Sequence, residues 1–235
     1  MSKKASALVF ALWLGLWVAL ALLWHDPINR TSLRCGILLS MLAIWGVGLL
    51  LGWQHRLLRG ALIAAPVLLA LTLACDGPAY DRAALRDDYL KCLLSYEGSP
   101  YVWGGEARGA IDCSGLVEKA LIDASWRRGL ATGRPRLVRS AIELWWHRAS
   151  ADALRDEYHG LTRRVLQTEY LANVDGSRLV PGDLMVPLNG EHTMAYLGNQ
   201  TWIEADPSAG VIRVKSPDSF WFKHPAIVLR WRELE

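Results

Sequence analysis

Cys113 lies in YVWGGEARGAIDCSGLVEKAL, residues 101–121, where a glycine-rich polar approach runs through Asp112 into a stretch that reads as a helix. A thiol attacks a carbonyl carbon only as thiolate, and its ordinary pKa is about 8.5. A helix N-terminus favours the anion, because unpaired N–H groups and the macrodipole converge there. The same N–H groups can receive the oxyanion of a tetrahedral intermediate. Gly104, Gly105 and Gly109 let the preceding loop fold tightly beside the sulfur. This placement suits nucleophilic acyl transfer. The other reading is a half-buried residue of no special reactivity, and what separates the two is a base.

The chain has six histidines. His25 and His55 fall in loops between apolar runs, His147 and His159 in a polar helical region, and His224 before Pro225 in a turn. His192 opens a strand directly after the turn PLNGE, where its ring can project toward a facing helix. A base so placed needs a third group to fix its tautomer, here a carboxylate accepting from the imidazole Nδ1–H. The stretch TWIEADP supplies Glu204 and Asp206 on one face of the next strand, with Ile203 and Ala205 on the other. Either carboxylate also reads as a solvated strand or turn residue. The four cysteines, Cys35, Cys75, Cys92 and Cys113, show no paired or metal-like spacing, so neither a disulfide framework nor a metal or organic cofactor is implied. Cys92, in YLKCLLSY, reads as a small apolar core residue.

The elements that must position these residues follow from pattern. Asp81 is a plausible N-cap for a helix through about Tyr96, glycines and Pro100 keep 97–111 irregular, and a helix runs from Cys113 to about Trp126. Residues 137–171 read as two more helical stretches, parted near 150–152. After Pro181-Gly182 come short β-branched or alternating segments at 183–187, 193–197, 201–205, 211–214 and 226–231. Helices first and strands second predict an α+β domain, its helices packed on an antiparallel sheet.

Ahead of that domain stand three apolar runs, 5–24, 35–53 and about 57–75, the last containing Pro66. Each is close to the ~20 residues that cross a ~30 Å hydrocarbon layer. Trp24 and Trp53 end two of them, where an amphipathic ring prefers the headgroup level. The first run continues past Ala19-Leu20-Ala21 with no polar cleavage region, which predicts an uncleaved anchor. Lys3, Lys4, Arg56 and Arg59 against Arg30 and Arg34 favour an inside N-terminus, and three spans then put everything after Cys75 outside the cytoplasm. Residues 1–76 are thus expected to form a multi-pass transmembrane anchor, and 77–235 the catalytic domain. The first 76 residues carry six Lys/Arg and two Asp/Glu; the remainder carries 20 and 21. The basic balance belongs to the anchor, and the rest shows no nucleic-acid footprint.

The successive stretches YVWGG, DCSGLV, LVRSA, PGDL and HTMAYLGNQTWIEA resemble the signatures of NlpC-type bacterial cell-wall peptidases, over about residues 83–215. The resemblance implies a papain-like cysteine hydrolase fold, with a helical subdomain carrying the cysteine against a small antiparallel sheet carrying the histidine. It implies Cys113 as nucleophile, His192 as base and Glu204 as third polar residue. By the same resemblance Tyr101, Asp112 and Ser114 line the substrate cleft. The implied substrate is a peptidoglycan stem peptide, cut through a thioester between γ-D-glutamate and the diamino acid, on the periplasmic side of the bacterial cytoplasmic membrane. The chain departs from the family in having Glu204 where histidine is often found, in its fusion to membrane spans, and in extra residues around 149–175 that are expected to flank the cleft. Rival readings are a hydrolase or acyltransferase acting on a non-wall amide or ester, and a non-catalytic membrane-anchored binding protein.

Overall fold

The computed structural model describes residues 3–235, which form two compact units meeting at Cys75 and Asp76. In the first unit, α1 (Lys3–Trp24), α2 (Thr31–Gly52) and α3 (Arg56–Ala74) are uninterrupted helices, α3 continuing through Pro66. Among the described residues these three are long and apolar enough to cross a membrane. The Trp13 indole of α1 donates to the Ile44 carbonyl of α2 at 3.0 Å, and Trp45 of α2 donates to Leu62 of α3 at 2.9 Å. Leu8, Leu22, Leu39, Leu57 and Leu69 stay exposed around them. Such an apolar exterior is stable in hydrocarbon and costly in water.

The second unit opens with α4 (Arg82–Leu94), capped as its sequence predicts: the Asp81 carboxylate accepts from the Ala84 N–H at 3.0 Å. The short hairpin β1 (Glu106–Ala107) and β2 (Ala110–Ile111) leads directly into α5 (Cys113–Thr132). Helix α5 runs past the expected stop at Trp126, because its left-handed C-terminal residue is Gly133, at φ 60°. Next come α6 (Pro135–His147) and the single turn α7 (Ala151–Arg155).

A six-stranded sheet completes the unit: β3 (Thr162–Thr168), β4 (Leu184–Pro187), β5 (Met194–Gly198), β6 (Thr201–Asp206), β7 (Gly210–Lys215) and β8 (Ala226–Trp231). Their order is β3-β8-β4-β5-β6-β7, antiparallel throughout. The last five strands fall where the sequence puts them. Strand β3 corrects the sequence reading, which has helix there. A register shift between Arg164 and Leu166 breaks the alternation that would have marked a strand.

Alternation along the strands divides the interior. Leu184, Val186, Ala195, Ile203, Ala205, Ile227 and Leu229 pack against Leu116, Val117, Ala120 and Leu121 of α5 and Leu85, Tyr89 and Leu93 of α4. Met185, Met194, Tyr196, Trp202 and Val228 form a second core on the other face, with Leu171 and Phe222. Part of the extra segment therefore supplies an edge strand and covers the sheet face away from α5; only its beginning, near residues 148–155, reaches the cysteine side.

Candidate active site

Cys113 is the first residue of α5 and Asp112 its N-cap. Asp112 Oδ1 accepts from the Gly115 N–H at 2.6 Å and from the Ser114 hydroxyl at 3.2 Å, while Oδ2 accepts from the Gly104 N–H at 2.8 Å. One carboxylate thus ties the approach loop to the start of the helix. The glycines at the seam answer to space: a Cβ on Gly105 would lie 2.3 Å from the Ala110 carbonyl oxygen, and one on Gly115 2.3 Å from the Gly105 oxygen. Gly109 is under no such constraint, so the tight fold belongs to Gly105, together with Gly104 at φ 80°.

The thiol is only 6 % exposed. Burial, and then the Asp112 charge, push Cys113 up to about 12, while the backbone N–H groups of Thr193, Ser114 and Cys113 itself pull the other way. The helix-start N–H groups thus act in the expected direction, but they do not set the outcome. Removing the sulfur from water outweighs the favourable dipoles. The helix end still supplies the N–H groups that face the sulfur.

The Thr193 contact places the residue after His192 against Cys113. His192 is 3 % exposed and its Nε2 lies 2.7 Å from Oε2 of Glu204, itself 2 % exposed. This corrects the expected donor: the carboxylate engages Nε2 and not Nδ1. Trp221, in the 3-10 turn Phe220–Lys223, stacks on the imidazole with ring centroids 4.6 Å apart and planes 11° from parallel. Glu204 shares its face of β6 with Trp202, not with Ile203 and Ala205, which pack toward α5. The His192–Glu204 pair therefore sits on the face turned from the α5 core, with His192 one residue before Thr193, whose N–H faces Cys113 where β5 begins.

Asp206 does not take part in this pair. Its Oδ1 accepts from the Ser208 N–H at 2.7 Å and the Ala209 N–H at 3.0 Å, within the β6–β7 turn. Tyr101 is half-buried and joined to Ile111 by an isolated parallel bridge. Burial and then the Cys113 charge raise its phenol to about 12, so the two groups act on one another. Ser114 and Asp112 are both buried, and they shape the loop in addition to flanking the thiol.

Two neighbours escaped the sequence reading. Trp221 comes from SFWFKHP, where no spacing links it to His192. Arg148 follows α6, its Nε 2.8 Å from Glu106 Oε1 and its Nη2 3.5 Å from Asp112 Oδ2. Among the described residues no group of three or more His, Cys, Asp or Glu could hold a metal ion.

A cysteine at a helix start and a histidine–carboxylate pair at the end of an antiparallel sheet define the class of papain-like cysteine hydrolases. The chain belongs to the NlpC/P60 family, whose model matches residues 98–230, more than half of it. It is 27 % identical over 137 residues to the Escherichia coli protein named "Probable endopeptidase NlpC", covering 56 % of this chain and 69 % of that one. An NlpC/P60 family protein from Bacillus cereus aligns at 17 % identity and a TM-score of 0.40, over 66 % of this chain and 41 % of its own. The Mycobacterium tuberculosis peptidoglycan hydrolase RipB aligns at 21 % and 0.39, over 64 % and 67 %. This chain thus spans well under half of the Bacillus cereus protein.

Proposed function

We propose that the protein is a membrane-anchored cysteine endopeptidase that hydrolyses stem-peptide amide bonds of peptidoglycan on the periplasmic side of the cytoplasmic membrane. The observation that carries the reading is a cysteine at a helix start beside the chain that bears a buried histidine–carboxylate pair. Helix α5 presents Cys113, the chain entering β5 brings the Thr193 N–H to the thiol with His192 as the preceding residue, and β6 presents Glu204 to the imidazole Nε2. Family membership and the endopeptidase name of the Escherichia coli relative support the peptide-bond chemistry. The three long apolar helices support the anchor.

In the reaction Cys113 Sγ attacks the amide carbonyl carbon and its proton passes to His192 Nδ1. The carbonyl oxygen becomes an oxyanion held by first-turn N–H groups of α5. Collapse breaks the C–N bond as His192 gives the proton to the leaving amine, and an acyl thioester remains. Water then attacks the thioester, losing its proton to His192, and the thiol is restored with release of a carboxylic acid. Glu204 holds the imidazole and stabilises its cationic form throughout. Tyr101 lines the acyl side of the cleft.

Digestion of purified peptidoglycan by the full-length protein, with product masses, tests the assignment. The expected products are muropeptides shortened within the stem, absent with Cys113→Ala and nearly unchanged with Cys92→Ala. Intact muropeptides from the folded wild type would remove the substrate, and equal turnover by Cys113→Ala would remove the mechanism.

A further inference from the structure

The junction between α6 and α7 touches both halves of the candidate site. Arg148 spans two carboxylates, Glu106 of β1 and the α5 cap Asp112. The next residue, Ala149, donates its N–H to Glu118 of α5 at 2.9 Å. Glu118 is buried, and burial followed by the Glu106 charge holds its carboxyl well above the usual range. Three acidic side chains thus gather behind the cysteine around one guanidinium. On the other side, Arg155 Nη1 donates to the Leu188 carbonyl at 2.8 Å. A Cβ on Gly190 would lie 2.7 Å from Asp152 Cβ, so the turn leading into His192 is seated directly on α7.

Arg148 adopts φ 46° and ψ 115°, a backbone conformation that a side-chain-bearing residue rarely takes. Such a geometry persists only where its surroundings hold it. Here they do so with the ion pairs to Glu106 and Asp112. The planar fork of arginine reaches two acceptors at once, which a lysine ammonium on one stem does less well.

We propose that Arg148 is a positioning residue for the nucleophile, acting through Asp112: its guanidinium offsets the carboxylate charge beside the sulfur and holds that carboxylate in the rotamer that caps α5. The inference rests on the reading of Cys113 as the nucleophile. The charged and titratable groups around the thiol are Asp112 at its own helix start, Tyr101 from the approach loop, His192 with Glu204 from the sheet, and Arg148 behind Asp112. Asp206 lies beyond, next to Tyr101. Of these, Arg148 is the permanent cation, and it is shared between Asp112 at 3.5 Å and Glu106, behind Asp112, at 2.8 Å. Without the guanidinium the Asp112 charge acts on the sulfur in full, and the thiolate becomes harder to form.

The test is alkylation of the full-length protein by iodoacetamide at pH 9, with Cys113 modification followed by peptide mass. Arg148→Gln should slow that modification about threefold, and Arg148→Lys should restore most of the rate because it keeps the charge. Turnover should fall in kcat with KM held. In an Asp112→Asn background Arg148→Gln should have no further effect, whereas Arg178→Met, on the far sheet face, should leave alkylation unchanged. A folded Arg148→Gln protein that alkylates at the wild-type rate overturns the proposal. Should that variant not fold, Asp112→Asn alone decides: acceleration under about threefold supports an already offset charge, and tenfold or more overturns it. If instead Cys113→Ala hydrolyses peptidoglycan, the functional reading fails while alkylation still judges Arg148.

Discussion

The state of the resting thiol can be worked out from its burial and the charge beside it. Cys113 stands at about 12, raised first by desolvation and second by Asp112. An ordinary exposed thiol stands near ~8.5, so at neutral pH Cys113 holds roughly three-thousandfold less thiolate than a free cysteine peptide. The rarer thiolate is the more nucleophilic, with a Brønsted slope of about 0.4–0.5, which returns a factor of roughly thirty. Net alkylation by iodoacetamide should therefore be about a hundredfold slower at Cys113 than at a cysteine peptide in the same tube at pH 7. The sign of the pH dependence follows. A thiol whose pKa is raised gains thiolate tenfold for each pH unit well past the point where an ordinary thiol has levelled off. The Cys113 rate should thus climb steadily from pH 7 to 10 while the peptide rate flattens above about 9. The assay is quenched-time alkylation of the full-length protein, read by the mass of the peptide containing Cys113. A rate at pH 6 equal to or above that of the peptide, already flat with pH, would mean a preformed thiolate–imidazolium pair and defeat this account. If the slow rising profile is found, the proton must leave the sulfur during attack on the bound substrate, with His192 receiving it in the same event.

Three further outcomes can be measured. Glu204→Gln should lower kcat/KM between about ten- and a hundredfold, the loss of a charge-assisted hydrogen bond of ~1.5–3 kcal/mol, whereas Asp206→Asn should cost less than threefold in rate and act on the turn; equal losses would make Asp206 the partner. Trp221→Ala should lower kcat two- to tenfold by uncovering the face of His192, with Trp221→Phe recovering most of it, as expected for a ring contact of ~0.5–1.5 kcal/mol; a kcat unchanged in folded Trp221→Ala would assign the stack to packing alone. A reporter fused after Glu235 should be active only if it matures outside the cytoplasm, and activity from a cytoplasm-dependent reporter would reverse the topology read from Lys3, Lys4, Arg56 and Arg59.

Where local pattern and tertiary packing agree, the chain could be read directly. Asp81 caps α4 through a side chain whose only requirement is the next turn of helix. Strands β4 to β8 are short apolar runs because successive side chains enter the two cores in turn, Leu184 and Val186 one and Met185 the other. Strand β3 escaped because its register shift hides the alternation, and α5 was cut short because Gly133 went unread as its terminator. The site divides the same way. Cys113 announces itself by its neighbours in the chain, while Trp221 and Arg148 reach it only through tertiary contacts that leave no spacing in the sequence.

The choice between Glu204 and Asp206 shows how far alternation can be pushed. Period-two geometry puts both on one face of β6, so pattern alone leaves two candidates for His192. Register then separates them. Met194 pairs with Glu204, and the strand is already turning at Asp206, which pairs with Gly210. An aspartate followed by Pro-Ser-Ala-Gly has a use for its oxygens that needs no histidine: it accepts from the N–H groups two and three residues on, and it does so here at 2.7 and 3.0 Å. That demand was present in the sequence DPSAG as a turn signal, and it left Glu204 as the carboxylate without a local claim. What no turn rule supplies is which imidazole nitrogen Glu204 meets. That depends on the rotation of the ring, which is held by Trp221 on its face and by the Nε2–Oε2 contact.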